Sequence, residues 1–228
     1  MLTINSLKRL TLFFARYKSS HYKKHAILLN ADENPQYIYF IKSGYIRAYR
    51  ISEQGEELTL VILEAQELFP ITYGLNDIPN SYYLEAITTL DLWQAPKEHF
   101  LAFLKANPDV FYELTNHTLV RFGYLLTRME YLVISRAYAK VAATILMCAK
   151  RFGEQRGTDI VVKIPFTHKD IATLAGITRE TTCLEMKKLE EKGLVSRHGR
   201  LLVIKNLQKL EAESSMNESD GSLLNYSI

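Results

Sequence analysis

Arg179 and Glu180 stand directly after Thr178, and Cys183 and Leu184 follow a few residues on. On one face of a helix these four types suit the edges of base pairs. A guanidinium donates twice to guanine, a carboxylate accepts from cytosine, and an isobutyl group can touch a thymine methyl. Cys183 is small enough to let the backbone approach a base closely. The plainer reading is the solvated, charged end of a helical hairpin, and the elements around these residues decide between the two.

The run from Phe166 to Leu189 predicts two short helices joined by a glycine turn. Thr167 is placed to cap the first, with Asp170 reaching back to free amides, and Ile171 and Leu174 bury its inner face. Gly176 supplies the turn. Thr178 caps the second helix, which buries Thr182, Met186 and Leu189. Lys192-Gly193 ends it, and residues 194–204 then predict two β runs around the basic turn Arg197-His198-Gly199-Arg200. This is the pattern of a winged helix-turn-helix. His168, Lys169, Thr178, Thr181, Arg197, His198 and Arg200 are expected on DNA phosphates, which fix register and supply salt-dependent affinity.

The stretch from Ile164 to Asn206 resembles the DNA-binding domain of the CRP/FNR family of bacterial transcription regulators. The resemblance is carried by the Arg179-Glu180-Thr181 opening of the second helix and by Ser196, His198, Gly199 and Arg200 in the wing. It implies a cytoplasmic homodimer on a pseudo-palindromic double-stranded operator, with RNA polymerase as a partner if the protein activates. One departure stands out. Leu184 occupies the place where the best-known branches carry a second arginine, so the operator should differ from theirs.

From about Ala26 to Pro96, runs rich in Ile, Val, Tyr and Phe alternate with turn residues, among them 37–41, 44–51, 57–63, 84–90 and 92–95. They predict an antiparallel β domain, with Gln54-Gly55 in a hairpin. The order of elements resembles the family's cyclic-nucleotide-binding β-roll, and the resemblance then spans about residues 20–210. It fails at the phosphate. Cyclic-AMP-binding members use a loop arginine there, whereas residues 68–85 contain neither Arg nor Lys. An unpaired buried phosphate is costly, so cyclic AMP is not expected to bind. Phe69, Tyr73, Tyr82 and Tyr83 instead make a candidate pocket for an uncharged small-molecule effector, unless they simply pack the core. Leu125 and Leu126 join that set, because they match a Thr-Ser pair that meets adenine in the cyclic-AMP receptor.

Asn107-Pro108-Asp109 opens a long helix running to about Ser135. Leu119, Phe122, Leu126, Met129 and Val133 recur at the spacing of a coiled-coil seam, and the resemblance places a homodimer interface on this helix. A second line, Leu114, Leu125 and Leu132, is available to face the chain's own β domain. Ser135-Arg136 is the expected hinge.

The fold class is therefore α+β. An N-terminal antiparallel β-roll, jelly-roll-like or a double-stranded β-helix, occupies residues 1–106, and the dimerisation helix and hinge 107–136. The winged helix-turn-helix fills 137–210, and a polar tail, 211–228, is expected to be disordered. Residues 153–158 are read as a loop. At 228 residues the chain suits two domains, and its net charge of +3 puts any nucleic-acid affinity on local patches.

Neither a membrane span nor a secretion signal is expected from the sequence pattern. The two cysteines, Cys148 and Cys183, lack metal-site spacing, and Cys148 belongs in a core. His21 and His25 would share a helix face only if their segment were helical. No metal, cofactor or enzymatic motif is found. The rival to a DNA reader is an effector-binding module that controls a partner protein.

Overall fold

The computed structural model describes residues 2–76 and 78–214. The chain divides into two compact units, residues 2–117 and residues from 118 onward.

The N-terminal unit opens on helix α1 (Ile4–Phe14), which the sequence reading did not anticipate. Eight strands follow: β1 (Lys18–Tyr22), β2 (Ile27–Leu29), β3 (Tyr37–Ser43), β4 (Ile46–Ile51), β5 (Glu57–Leu63), β6 (Leu68–Phe69), β7 (Tyr83–Ala86) and β8 (Leu90–Pro96). They form two four-stranded antiparallel sheets, ordered β1-β8-β3-β6 and β2-β7-β4-β5. Between β6 and β7 lies the short helix α2 (Ile71–Asn76), and after β8 comes α3 (Lys97–Ala106). The expected run 84–90 is two strands, because Ile87 to Thr89 turn the chain from one sheet to the other.

Strand β3 explains why α1 exists. Tyr39 and Ile41 enter the core between the sheets, together with Ile46, Leu63, Leu84, Leu90 and Leu92. Ile38 and Phe40 face the other way and meet Leu10, Phe14, Phe100 and Leu104 from α1 and α3. Both faces of the strand are therefore buried. A doubly buried strand reads as a continuous apolar run rather than an alternation, which is the pattern of Tyr37 to Ile41.

Helix α4 (Pro108–Ile134) begins in this unit. Asp109 pairs with Arg9, and Glu113 accepts from the Thr3 amide and hydroxyl at 2.8 and 3.0 Å, so its first turns are tied to α1. Leu114 packs on the α1–α3 core, as expected.

The C-terminal unit is built around α5 (Ala137–Phe152), which is buried along most of its circumference. Cys148 is a core residue there, and burial pushes its thiol up to about 12. Strands β9 (Gly153–Arg156) and β10 (Asp159–Val162) come next, then α6 (His168–Ala175), α7 (Arg179–Glu191), β11 (Val195–His198), β12 (Leu201–Ile204) and α8 (Leu207–Ser214). The strands make one sheet ordered β11-β12-β10-β9.

Two expectations are corrected here. Residues 153–158 are not simply a loop, since β9 pairs with β10 and carries the wing sheet to a fourth strand. Residues 211–214 are helical rather than disordered. Glu211 is paired with Lys150 at 2.6 Å and Glu213 with Lys192 at 2.7 Å, anchoring α8 to α5 and to the end of α7. The rest of the expected tail, 215–228, lies outside the described residues.

His21 lies on β1, so it does not share a helix face with His25; they pair separately with Asp91 and Glu85. Among the described residues no three His, Cys, Asp or Glu gather as a metal site, and no helix is long and apolar enough to cross a membrane.

Candidate nucleic-acid interface

Helix α7 is held at both ends of the turn that precedes it. Thr167 accepts from the Asp170 amide at 3.2 Å while Asp170 accepts from the Thr167 amide at 2.7 Å, a reciprocal cap that starts α6. Gly176 then adopts φ 62° and ψ 41°, left-handed geometry that a Cβ disfavours. Thr178 caps α7 by accepting from the Thr181 amide at 3.2 Å, and the two threonine hydroxyls lie 2.9 Å apart. With Thr182, Met186 and Leu189 buried, rotation of α7 about its axis is fixed.

That rotation leaves Arg179 and Glu180 exposed, together with Leu184 at 64%. Arg179 lines an open concavity of about 530 Å³ with Thr167, His168, Lys169 and Arg197. Three cationic side chains thus converge beside the start of the helix. His198 and Arg200 are exposed at the wing tip, and Gly199 turns it with φ 61°.

Two residues sit differently from expectation. Arg197 does not extend into solvent at the wing tip. It folds inward and donates to the Phe166 carbonyl at 3.0 Å, while its Nε and Nη2 are enclosed without a hydrogen-bond acceptor among the described residues. Cys183 does not present its thiol solely to the outer face, since Sγ lies 3.2 Å from Nδ1 of His168. The partners are fifteen residues apart on different helices, so no local spacing could have revealed the contact. Sequence reading also passed over Thr167 as a wall of the concavity, although its identity as a cap marked where α6 would present its first turn.

The aromatic set of the β-roll does not form one wall. Phe69 is buried in the core and stacks on Tyr39 at 4.9 Å, and Tyr82 packs against the same core. Tyr83 is on the opposite face, stacked on Tyr49 at 5.3 Å, because neighbouring residues of a strand alternate sides. Tyr73 lies under the Lys97 ammonium, 4.5 Å from its ring centre. On the Tyr83 face Arg47 pairs with Glu85 at 2.6 Å and Glu57 at 2.7 Å. Burial opposes the Arg47 charge, but its bonds to the two carboxylates outweigh that and raise its pKa.

Along α4 the expected seam is bare. Leu119, Phe122, Leu126, Met129 and Val133 are between 50% and 78% exposed. Of the expected second line, Leu114 packs on the core of the N-terminal unit and Leu132 is half-buried. In the C-terminal part of α4 the inward line is Tyr124, Arg128 and Tyr131, while Leu125 is left exposed.

Comparison with known proteins matches this arrangement. The sequence profile of the Crp-like helix-turn-helix domain covers residues 139–213, and that of the cyclic nucleotide-binding domain covers residues 19–107. The chain is 25% identical to the global nitrogen regulator of Nostoc sp. over 169 residues, 73% of this chain and 76% of that protein. It is 24% identical to the cAMP-activated global transcriptional regulator CRP of Salmonella typhimurium over 185 residues, 80% and 87% of the two. Among solved structures, a CooA mutant from Carboxydothermus hydrogenoformans superposes with a TM-score of 0.77 at 22% identity, covering 94% of this chain and 98% of that one. FixK2 from Bradyrhizobium japonicum gives 0.76 at 21% identity, covering 88% and 98%. The protein belongs to the CRP/FNR family of DNA-binding transcription regulators.

Burial, and then the guanidinium of Arg197, hold the His168 imidazole below its usual 6.5; Arg179 adds to this and Glu190 opposes it. The unfolded chain therefore takes up the proton first as pH falls, and acidification favours unfolding until the folded imidazole also titrates. From about pH 7.5 to about pH 5.5 the melting temperature of the wild type should fall more than that of His168→Gln. Calorimetry at the two pH values checks this, and equal slopes would show that the imidazole is not depressed.

Proposed function

We propose that this regulator acts as a homodimer that reads a pseudo-palindromic operator with two copies of α7 and does so without cyclic AMP. The observation that carries the reading is the capped, exposed start of α7 beside a cationic concavity. In a helix-turn-helix this end of the second helix enters the major groove. Arg179 reads guanine, Glu180 accepts from cytosine, and Leu184 contacts a thymine methyl. Cys183 keeps the approach close while its thiol rests on His168. His168, Lys169, Thr178, Thr181, His198 and Arg200 meet phosphates, with Arg197 drawn into the floor of the concavity beside them.

Dimerisation follows from the bare seam of α4. A monomer would leave five large apolar side chains of one helix face in water, whereas a second copy covers them. Two reading helices then reach half-sites one DNA turn apart. RNA polymerase is the further partner if bound protein activates.

The β-roll is assigned an uncharged effector or none. Phe69 and Tyr82 are engaged in core packing, which leaves Tyr73 and Tyr83 as the candidate contacts within the roll. Arg47 is held by two carboxylates and is not free for a phosphate.

The test starts from a duplex selected by the wild-type protein out of a randomised pool. Arg179→Ala should cost about 1–3 kcal/mol of affinity for that duplex and relax base choice, whereas Arg200→Ala should weaken selected and random duplexes alike. Equal losses on both duplexes for Arg179→Ala would remove it from base reading. Met129→Glu places two carboxylates near each other across an apolar two-fold contact and should give monomers in sedimentation at micromolar concentration. A variant that stays dimeric would move the interface elsewhere. Cyclic AMP should leave the melting temperature unchanged, although a true ligand at a hundredfold excess over its Kd stabilises by about 2.7 kcal/mol. A clear thermal shift would overturn that part of the assignment.

A further inference from the structure

The inward line of α4 contains a charge where the sequence offered leucines. Arg128 is 9% exposed, and its Nη2 donates to the Leu174 carbonyl at 2.7 Å. Burial lowers its pKa, with Cys148 and Tyr124 beside it acting in the opposite direction. Leu174 belongs to the last turn of α6, where carbonyls have no partner further along the helix. The Ala172 carbonyl is taken by the amides of Gly176 and Ile177. The Leu174 carbonyl is taken by Arg128. A cation at this end also suits the negative pole of the helix.

A buried charge is a poor way to gain stability, since an apolar side chain of similar volume often does as well or better. What a guanidinium adds is direction. Its hydrogen bond sets the angle and distance between α4 and the α6 end of the turn, two residues before Gly176 and five before Arg179. The next residue along α4, Met129, is 59% exposed on the apolar seam. One turn of α4 thus carries a seam residue on one side and the grip on α6 on the other.

We propose that Arg128 is a positioning residue for DNA reading, fixing the turn before α7 to α4 so that the reading face keeps a set orientation relative to the seam. This rests on the DNA-reading function proposed above. The probes are the selected duplex and a random duplex of equal length, with the full chain throughout.

Arg128→Met, which keeps an unbranched buried stem and removes the donors, should retain the circular dichroism spectrum and the sedimentation mass of the wild type. Its affinity for the selected duplex should fall about tenfold or more, as for a lost hydrogen bond to a charged group, with random binding unchanged. Amide exchange at Gly176 and Ile177 should accelerate while that of α5 does not change. Arg128→Lys, which keeps a charge and a donor, should return binding to within about threefold of wild type.

Wild-type binding and exchange in Arg128→Met would overturn the proposal, and so would equal losses on both duplexes or failure of Arg128→Lys to restore binding. If Arg128→Met does not fold, Arg128→Gln takes its place with the same readouts. Failure of both to fold would assign Arg128 to core stability instead. If the wild type selects no duplex at all, the DNA-reading function falls and this inference with it.

Discussion

The exposed face of α7 depends on one reversal of the chain. At Gly176 the backbone takes a left-handed conformation that a side chain would penalise by about 1 kcal/mol, and a threonine cap stands on either side of it. With that turn set, burial of Ile171 and Leu174 on α6 and of Met186 and Leu189 on α7 leaves a single rotation for each helix. Arg179 and Glu180 are exposed because the opposite side of their helix is committed to α5 and its neighbours. Which residues α7 exposes is a consequence of packing on the far side of that helix.

The N-terminal unit follows a different constraint. Its first sheet is covered on both sides, by the second sheet and by α1 with α3, so Ile38 to Ile41 of β3 have no face left for solvent. Aromatic side chains fill this space by stacking, as Phe69 does on Tyr39 and Phe14 on Phe40. The half-buried Arg47 of the roll is neutralised internally by Glu57 and Glu85. A β-roll arranged in this way keeps the family's scaffold while its polar groups are turned toward each other.

Helix α4 reconciles two demands with two faces. Its outer seam is apolar and bare, and it is the face assigned above, as a proposal, to a second copy of the same helix. Its inner line in the C-terminal unit is Tyr124, Arg128 and Tyr131, groups that pack with their stems and rings yet retain polar ends. Polar ends at such positions make directional contacts that leucines cannot.

The sequence by itself determined the parts governed by local rules. Thr167, Asp170, Gly176 and Thr178 announce caps and a turn, because each acts on amides within a few residues of itself. Heptad spacing picked out the exposed apolar line of α4, and the lack of a run of about eighteen apolar residues argued against a membrane-spanning helix. The β runs were legible as strands, but the tertiary structure decided which of their faces were covered, since the covering helices come from distant segments. The same holds for the His168–Cys183 contact, for Arg197 turning inward to the Phe166 carbonyl, and for Arg128 on the Leu174 carbonyl. Each joins side chains to partners on other elements. Residue type states what such a group can bind, and only the packing of whole helices and strands states which partner is within reach.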